Sequence, residues 1–433
     1  MIDHTHHPQA STWVAGADDH ADFPVQNLPL GVFSLAQGMP RIGMAIGEHV
    51  LDLHAMADLL PEALRDALCQ PVLNALFALP GDLRQALRHA VFAMLTSLRC
   101  RVKVEPHLHP AADCTMHLPF RVGDYSDFYV GMHHATNVGA LFRPDQPLLP
   151  NYKHVPIGYH GRASSLRVSG TPVVRPCGQI RPPEADAPIH APSRRLDYEL
   201  ELAVWIAGDN ALGETVPMAQ AWDRIGGIGL LNDWSARDMQ AWEYQPLGPF
   251  LAKSFMTSLS PWVITREALA PFRAAQPARP AGDPAPLPYL WDEADQSHGA
   301  LSLDLGVWLS TAAMRETGTA PMRLAQGNSA VAMYWTVAQM VAHHASNGCD
   351  LHAGDVLGTG TLSGPTAASQ GSLLERAQGG KAPITLPSGE QRCFLEDGDE
   401  ITLSASAHAP GFRSIGLGAC HGRVAPARPY FGG

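Results

Sequence analysis

The segment LDYELELAVW, residues 196–205, alternates polar and apolar side chains with a period of two. That period belongs to a β-strand, whose successive side chains point to opposite sides. Tyr198, Leu200 and Leu202 fall on one side, and Asp197, Glu199 and Glu201 on the other. Same-side neighbours on a strand stand roughly 7 Å apart, so three like charges in a row are unfavourable unless a cation meets them. Such a strand either lies at the surface with its carboxylates in water, or is buried with its carboxylates around a divalent cation. Oxygen ligands alone select a hard ion, Ca²⁺, Mg²⁺ or Mn²⁺, over zinc.

The surroundings favour a β-rich fold. Residues 119–433 are punctuated by Gly and Pro and hold many short strand candidates, among them LRVSGTPVVR, GGIGLLND, SLDLGVWL and EITLSASA. Residues 22–53 read as a small β unit broken by Gly31, Gly38, Gly43 and Gly47. Between Met56 and Arg99, Leu, Ala and Arg recur at helical spacing, which predicts helices. The expected class is therefore mostly β with some α. A chain of 433 residues exceeds the size at which one core stops growing, so two domains are expected. They are an N-terminal domain over 21–118 and a C-terminal catalytic domain over 119–433. Residues 1–20 read as a disordered tail, with His4, His6 and His7 on a frayed terminus rather than in a metal site. The Pro/Ala-rich stretch 271–287 reads as a surface excursion.

Composition excludes several classes. The net charge of −11 and the lack of a basic stripe argue against a nucleic-acid partner. Seven cysteines without a CxxC pair suggest neither a disulfide framework nor a thiolate zinc site. The opening residues show no signal peptide, and no apolar run is long enough to span a membrane. A reduced, cytoplasmic protein is expected.

Two further segments carry chemistry. NDWSARDMQAWEY reads as a helix capped by Asn232 or Asp233, with Asp233, Arg237, Gln240 and Tyr244 in one polar stripe. The same stripe serves equally as an exposed amphipathic face. Just beyond it, Lys253 stands alone in the apolar run PLGPFLAKSF, either as a buried functional cation or as a snorkelling side chain. GDYSDFYVGMHHATNVG also reads as a helix, beginning near Asp124 or Ser126, with Asp127 and His134 two turns apart on one face. Histidine, with an unperturbed pKa of about 6.5, is the usual general base, but spacing does not choose between His133 and His134. His343 and His344 read as structural. GTGTLSGP, 358–365, lacks the ending of a phosphate-binding P-loop, and no dinucleotide fingerprint or serine elbow occurs.

Together these segments resemble the fumarylacetoacetase family. The resemblance is carried by FPVQNLPLGVFS, HHATNVG, GYHGRASS, LDYELELA, NDWSARDMQAWEYQPLGPFLAKSF, HHASNGC, GTLSGP and LEDGDE, in order from about residue 22 to 430. It implies an N-terminal SH3-like β-barrel followed by a mixed β-sandwich roll, assembled as a homodimer. It implies metal-dependent hydrolysis of a carbon–carbon bond in the diketo acid 4-fumarylacetoacetate, giving fumarate and acetoacetate in the last step of tyrosine and phenylalanine degradation. By position, Asp127, Glu199, Glu201 and Asp233 match ligands of a Ca²⁺-type site. Lys253 and Thr257, with Asp233, match a secondary Mg²⁺ site. His134 matches the general base and Glu375 the acid that orients it, while Arg237, Gln240 and Lys253 match groups that stabilise negative charge. Tyr129, Arg143, Tyr159, Gln240, Tyr244 and Thr361 match substrate contacts. Two alternatives remain open: hydrolysis of a related acylpyruvate, and a non-catalytic dimer that only binds divalent cations.

Overall fold

The computed structural model describes residues 1–36 and 38–429. The N-terminal part is built on β1 (Leu30–Leu35), β2 (Arg41–Ile46), β3 (His49–Asp52), β4 (Leu108–Pro110) and β5 (Cys114–His117). They pair antiparallel in the order β4-β3-β2-β1-β5. A two-residue turn joins β2 to β3, with Gly47 at φ +54° supplying the left-handed backbone that such hairpins need. Pro80 precedes α1 (Gly81–Thr96), whose Leu87, Val91 and Leu95 recur every four residues and are buried. The helix expected within 56–99 is thus present, alongside shorter turns.

Residues 1–20 are not a loose tail. Asp3 caps a single 3₁₀ turn over His4–His6, and the buried His6 ring bonds the Glu267 carbonyl through Nε2 at 2.8 Å. Buried Arg88 of α1 donates from Nε to Thr5 Oγ1 at 2.9 Å and from Nη1 to the Asn27 carbonyl at 2.6 Å. A buried guanidinium must be satisfied, and the tail supplies one acceptor, Thr5, that no local pattern reveals. The 271–287 stretch is also tied down, by Arg279 set 4.4 Å from the rings of both Tyr334 and Trp335.

The C-terminal part holds two large sheets. The first uses β6 (Tyr125–Phe128), followed in sequence by the helix α2 (Met132–Phe142), β7 (Gly158–His160) and β8 (Leu166–Val168). The second sheet takes β9 (Val173–Val174) as an edge. The first sheet continues with β10 (Leu200–Ile206), β11 (Ile225–Asp233), β12 (Thr257–Leu259) and, after a long insertion, β15 (Val356–Gly358). Its order is β7-β6-β15-β10-β11-β12-β8, with Ile264–Thr265 pairing on β11. That insertion supplies β13 (Leu303–Ser310) and β14 (Met322–Asn328) to the second sheet. β16 (Glu400–Ala407) and β17 (Ile415–Ala425) complete it in the order β14-β13-β16-β17-β9. Alternating burial along β16 shows one face packed and one wet, whereas every residue of β10 and β11 is buried. The surface alternative for LDYELELAVW is thereby excluded. The two parts share a core, since Leu30 bridges to Val263 and N-terminal side chains pack with Trp205, Leu231 and Leu259.

Two helix expectations are corrected. Asp127 lies on β6 and Asp233 ends β11, so neither belongs to the helix that follows it. α2 begins only at Met132 and α3 (Arg237–Glu243) only at Arg237. Both segments change from strand to helix within a few residues, and a window spanning the junction averages the two periods.

Candidate active site

Register builds the site. Asp127 of β6 stands opposite Tyr159 on one side and Gly358 on the other; Gly358 stands opposite Ala203, and Ala203 opposite Gly229. Directly opposed residues point to the same side of a sheet, as do residues two apart on one strand. Tyr159, Asp127, Glu201 and Asp233, with Thr257 opposite Asp233, therefore share one face. Gly358 opens the space between them: a Cβ there would stand 2.6 Å from Asp127 Oδ1 and 3.1 Å from Glu201 Oε2. One oxygen from each of Asp127, Glu201 and Asp233 lies within 4.8 Å of the other two, and all three residues are buried.

Burial and mutual repulsion push these carboxyls up, Asp127 to about 8, with Glu201 and Asp233 moving the same way. Among the described residues, Asp127 Oδ1 and Glu201 Oε1 are buried without a hydrogen-bond partner. Buried acceptors left unpaired are costly, and a divalent cation among the three carboxylates would satisfy the two that are. The all-oxygen donor set fits a hard divalent ion.

Glu199 differs from the other three. Its Oε1 lies 2.8 Å from Arg237 Nη1, and its Oε2 accepts from Lys253 Nζ. Burial raises its carboxyl, but these two cations outweigh burial and hold it well below the ordinary range. Asp233 has each oxygen occupied, Oδ1 by Thr257 Oγ1 at 2.7 Å and Oδ2 by Lys253 Nζ at 2.8 Å. The ammonium is a donor and cannot itself be a metal ligand, so Lys253 could serve as one only through its main-chain carbonyl.

The second half of the site is a histidine–carboxylate pair. His134, on the first turn of α2, sets Nδ1 2.6 Å from Glu375 Oε2. The short helix α5 (Leu373–Arg376), capped by Ser372, carries Glu375. Glu375 accepts from Asn137 Nδ2 at 2.8 Å, Ser363 Oγ at 2.8 Å and Ser372 Oγ at 2.9 Å. Burial raises this carboxyl, but His134 and those donors bring it down to about 2. Glu375 is thus held as an anion against one ring nitrogen, leaving Nε2 of His134 for the cavity.

That cavity encloses about 210 Å³ and is lined by Asp127, His134, Glu199, Glu201, Arg237, Gln240 and Lys253, with Tyr129, Tyr159 and Thr361 among the other walls. A second space of about 160 Å³ adjoins it behind Lys253 and is lined by Tyr125, Asp233 and Thr257. Arg143 and Tyr244 lie outside both linings. Arg143 Nη2 reaches the Pro147 carbonyl at 3.4 Å, and the Tyr244 amide bonds the Gln240 carbonyl at 3.0 Å. His343 and His344, at the end of α4 (Val337–His344), bond Tyr289 Oη and Ser126 Oγ.

Sequence reasoning missed Asp197 and Asn137 as parts of this machinery. Asp197 Oδ2 accepts from Arg237 Nε at 2.9 Å and from the Leu374 amide at 2.9 Å, and Oδ1 accepts from the Leu373 amide at 2.8 Å. One buried carboxylate thus fixes both Arg237 and the helix that carries Glu375. Asn137 could have been found from its place one turn after His134 on α2. Among the described residues, Arg237 Nη2 is buried with no acceptor. Together with the Gln240 amide, which accepts from Arg237 Nη1 at 3.0 Å, it offers donors to an oxygen that becomes negative.

Comparison with known proteins gives a consistent result. The family description "Fumarylacetoacetate (FAA) hydrolase C-terminal" matches residues 125–425, and "Fumarylacetoacetase N-terminal" matches residues 26–119. The chain is 45% identical to fumarylacetoacetase of Caenorhabditis elegans, covering 94% of this chain and 97% of that protein. It is 42% identical to fumarylacetoacetase of Homo sapiens, covering 96% and 99% respectively. A fumarylacetoacetate hydrolase structure from the psychrophile Exiguobacterium antarcticum aligns with a TM-score of 0.51 at 16% identity, covering 93% of this chain and 100% of that one, a likeness of fold alone.

Proposed function

The chain belongs to the fumarylacetoacetase family of carbon–carbon bond hydrolases, and from that premise we propose how its own residues carry out the reaction. The substrate is 4-fumarylacetoacetate, and the products are fumarate and acetoacetate. The observation that carries this assignment is a cluster of three buried carboxylates, two of them with an unpaired oxygen, beside a cavity that His134, paired with Glu375, also lines.

Asp127, Glu201 and Asp233 would hold a divalent ion, with Glu199 on the same side of the strand as a further carboxylate. When bound, the ion supplies Lewis-acid polarisation of the β-diketone oxygens. His134 Nε2 removes a proton from water while Glu375 keeps the ring oriented and balances the imidazolium that forms. The resulting hydroxide adds to the ketone carbonyl carbon of the fumaryl group itself. Arg237, Gln240 and Lys253 donate to the alkoxide of the tetrahedral adduct, each such donor contributing about 3 kcal/mol. Collapse of the adduct restores that carbonyl as a carboxylic acid and breaks the carbon–carbon bond. The bonding electron pair leaves on the acetoacetate carbon, which takes the proton back from His134. Tyr129, Tyr159 and Thr361 shape the space for the fumaryl and acetoacetate ends. Arg143 and Tyr244, outside both linings, follow the family as substrate contacts.

Finer features follow the family: an SH3-like barrel for the N-terminal sheet, Ca²⁺ or Mg²⁺ (with Mn²⁺ accommodated) as the ion, and a homodimer in the cytoplasm serving tyrosine and phenylalanine breakdown. The exposed apolar side chains Leu247 and Phe250 beside the cavity support an assembly contact. No helix among the described residues is long and apolar enough to cross a membrane.

His134→Ala tests the assignment. The variant is expected to bind metal and fold as the parent does, and to lose at least about 10³-fold in kcat on fumarylacetoacetate. Full turnover by that variant would overturn the role given to His134.

A further inference from the structure

Far from the cavity, we propose that the N-terminal turn and α1 form a second metal site, for a borderline transition-metal cation such as Zn²⁺, with Asp3, His4 and His89 as its ligands. This site does not depend on the hydrolytic assignment. A carboxylate oxygen of Asp3 and one ring nitrogen each from His4 and His89 lie within 4.8 Å of one another. Ligands set about 2.1 Å from one ion in a tetrahedral shell stand roughly 3.4 Å apart, so side-chain rotations that part Asp3 from His89 and bring in His4 would complete the set.

The three groups come from segments more than 80 residues apart, and their neighbours hold them in place. Asp3 Oδ1 accepts from the Thr5 amide at 2.9 Å and from Thr5 Oγ1 at 2.7 Å. That turns Oδ2 toward His89, whose Nε2 lies 2.6 Å away, and Gln85 Nε2 approaches the same oxygen at 3.2 Å. Thr5 is itself gripped by buried Arg88, and the Asp3 amide donates to His6 Nδ1 at 3.1 Å. The His4 ring centroid stands 4.7 Å from that of His89, and the ring is braced edge-on against Phe92 at 5.6 Å. An outer ring of hydrogen bonds that orients the ligating groups is the usual support of a metal site.

The donor set decides the metal. Two imidazoles and one carboxylate suit Zn²⁺, Co²⁺ or Ni²⁺, whereas the all-oxygen cluster in the cavity suits a hard ion. His4 is exposed and the other two residues are half-buried, so water completes a tetrahedral shell. The ligating atom is the neutral ring nitrogen, so on binding His89 carries its hydrogen on the other ring nitrogen. The ion staples the first turn to α1.

The Asp127→Asn protein, with its cavity cluster crippled, is titrated with Zn²⁺ in excess Mg²⁺ by calorimetry, alongside Asp127→Asn/His89→Gln and Asp127→Asn/His4→Gln. The expected result is one equivalent of Zn²⁺ bound with a Kd near ~1 µM, weakened at least about tenfold by either histidine substitution. Zn²⁺ is also expected to slow amide exchange over residues 3–6 in the histidine-intact protein alone. Equal binding by all three proteins, or binding no tighter than ~100 µM, would mean adventitious histidine contacts only and would overturn the site.

Discussion

Glu375→Gln keeps the shape of the side chain and removes its charge. The native carboxylate accepts from four donors, with His134, Ser363 and Ser372 on Oε2 and Asn137 on Oε1. The glutamine amide has one acceptor oxygen. Turned toward His134, it keeps that bond, and its NH₂ meets the Asn137 amide, which can flip to present its oxygen. Folding therefore survives, and the change falls on the charge. When His134 takes a proton in the reaction, the native imidazolium faces an anion with charge centres about 4 Å apart, an attraction of roughly 4 kcal/mol at an effective dielectric near 20. Losing it lowers kcat by about 10³-fold. KM should change little, because Glu375 does not line the cavity. The assay is initial-rate loss of fumarylacetoacetate absorbance, with circular dichroism to confirm folding. A folded variant whose kcat stays within about threefold of the parent would refute the orienting role of Glu375.

Other expectations follow from the same geometry. The Glu375 carboxyl, held at about 2 against its ordinary 4.5, stabilises the fold above pH 4.5 and loses that contribution as pH falls toward 2. Acid unfolding of Glu375→Gln should therefore be flatter over that window, as read by fluorescence. Asp197→Asn leaves Arg237 short of a counter-charge and weakens the seat of α5, and should cost about 3 kcal/mol in denaturant unfolding and at least about tenfold in kcat. Cavity substitutions that leave Arg237 and α5 in place should not reproduce this pairing of losses. With metal chelated, the Asp127 carboxyl at about 8 is raised above its ordinary 3.8, so the folded state holds more protons than the unfolded one. Its stabilising contribution is then lost as pH rises from 3.8 to 8, so the Tm of chelated protein should fall over that range. The Tm gained on adding Mg²⁺ or Ca²⁺ should grow, because the ion takes deprotonated ligands. A chelated Tm that climbs steadily with pH would contradict the cluster.

Much of the candidate site is legible in the sequence. The alternation in LDYELELAVW put Glu199 and Glu201 on one side, and burial on both faces of β10 is what separates a metal strand from a wet one. Spacing failed at Asp127 and Asp233, because each sits at a strand end beside a helix and the helical period was carried back across the junction. The same residues come together by a different geometry: Asp127 meets Glu201 through the register across Gly358, a pairing between strands over 200 residues apart. Asp197 was counted with the carboxylate row, but its work is to anchor Arg237, and nothing local distinguishes it from Glu199. The N-terminal turn is hidden for a related reason: Thr5 is held by the buried guanidinium of Arg88 and His6 by the Glu267 carbonyl, both remote in sequence.

The central claim is that this cavity breaks a carbon–carbon bond of fumarylacetoacetate with the help of a hard divalent ion held by Asp127, Glu201 and Asp233. The most direct measurement follows loss of fumarylacetoacetate at neutral pH with Mg²⁺ or Ca²⁺, then after chelation, then after the ion is restored, with fumarate and acetoacetate quantified. The account predicts rapid loss with one fumarate and one acetoacetate per substrate, abolished by the chelator and recovered with the ion. Turnover unaffected by rigorous chelation, or a folded, metal-loaded protein that spares fumarylacetoacetate while cleaving an acylpyruvate, would contradict it.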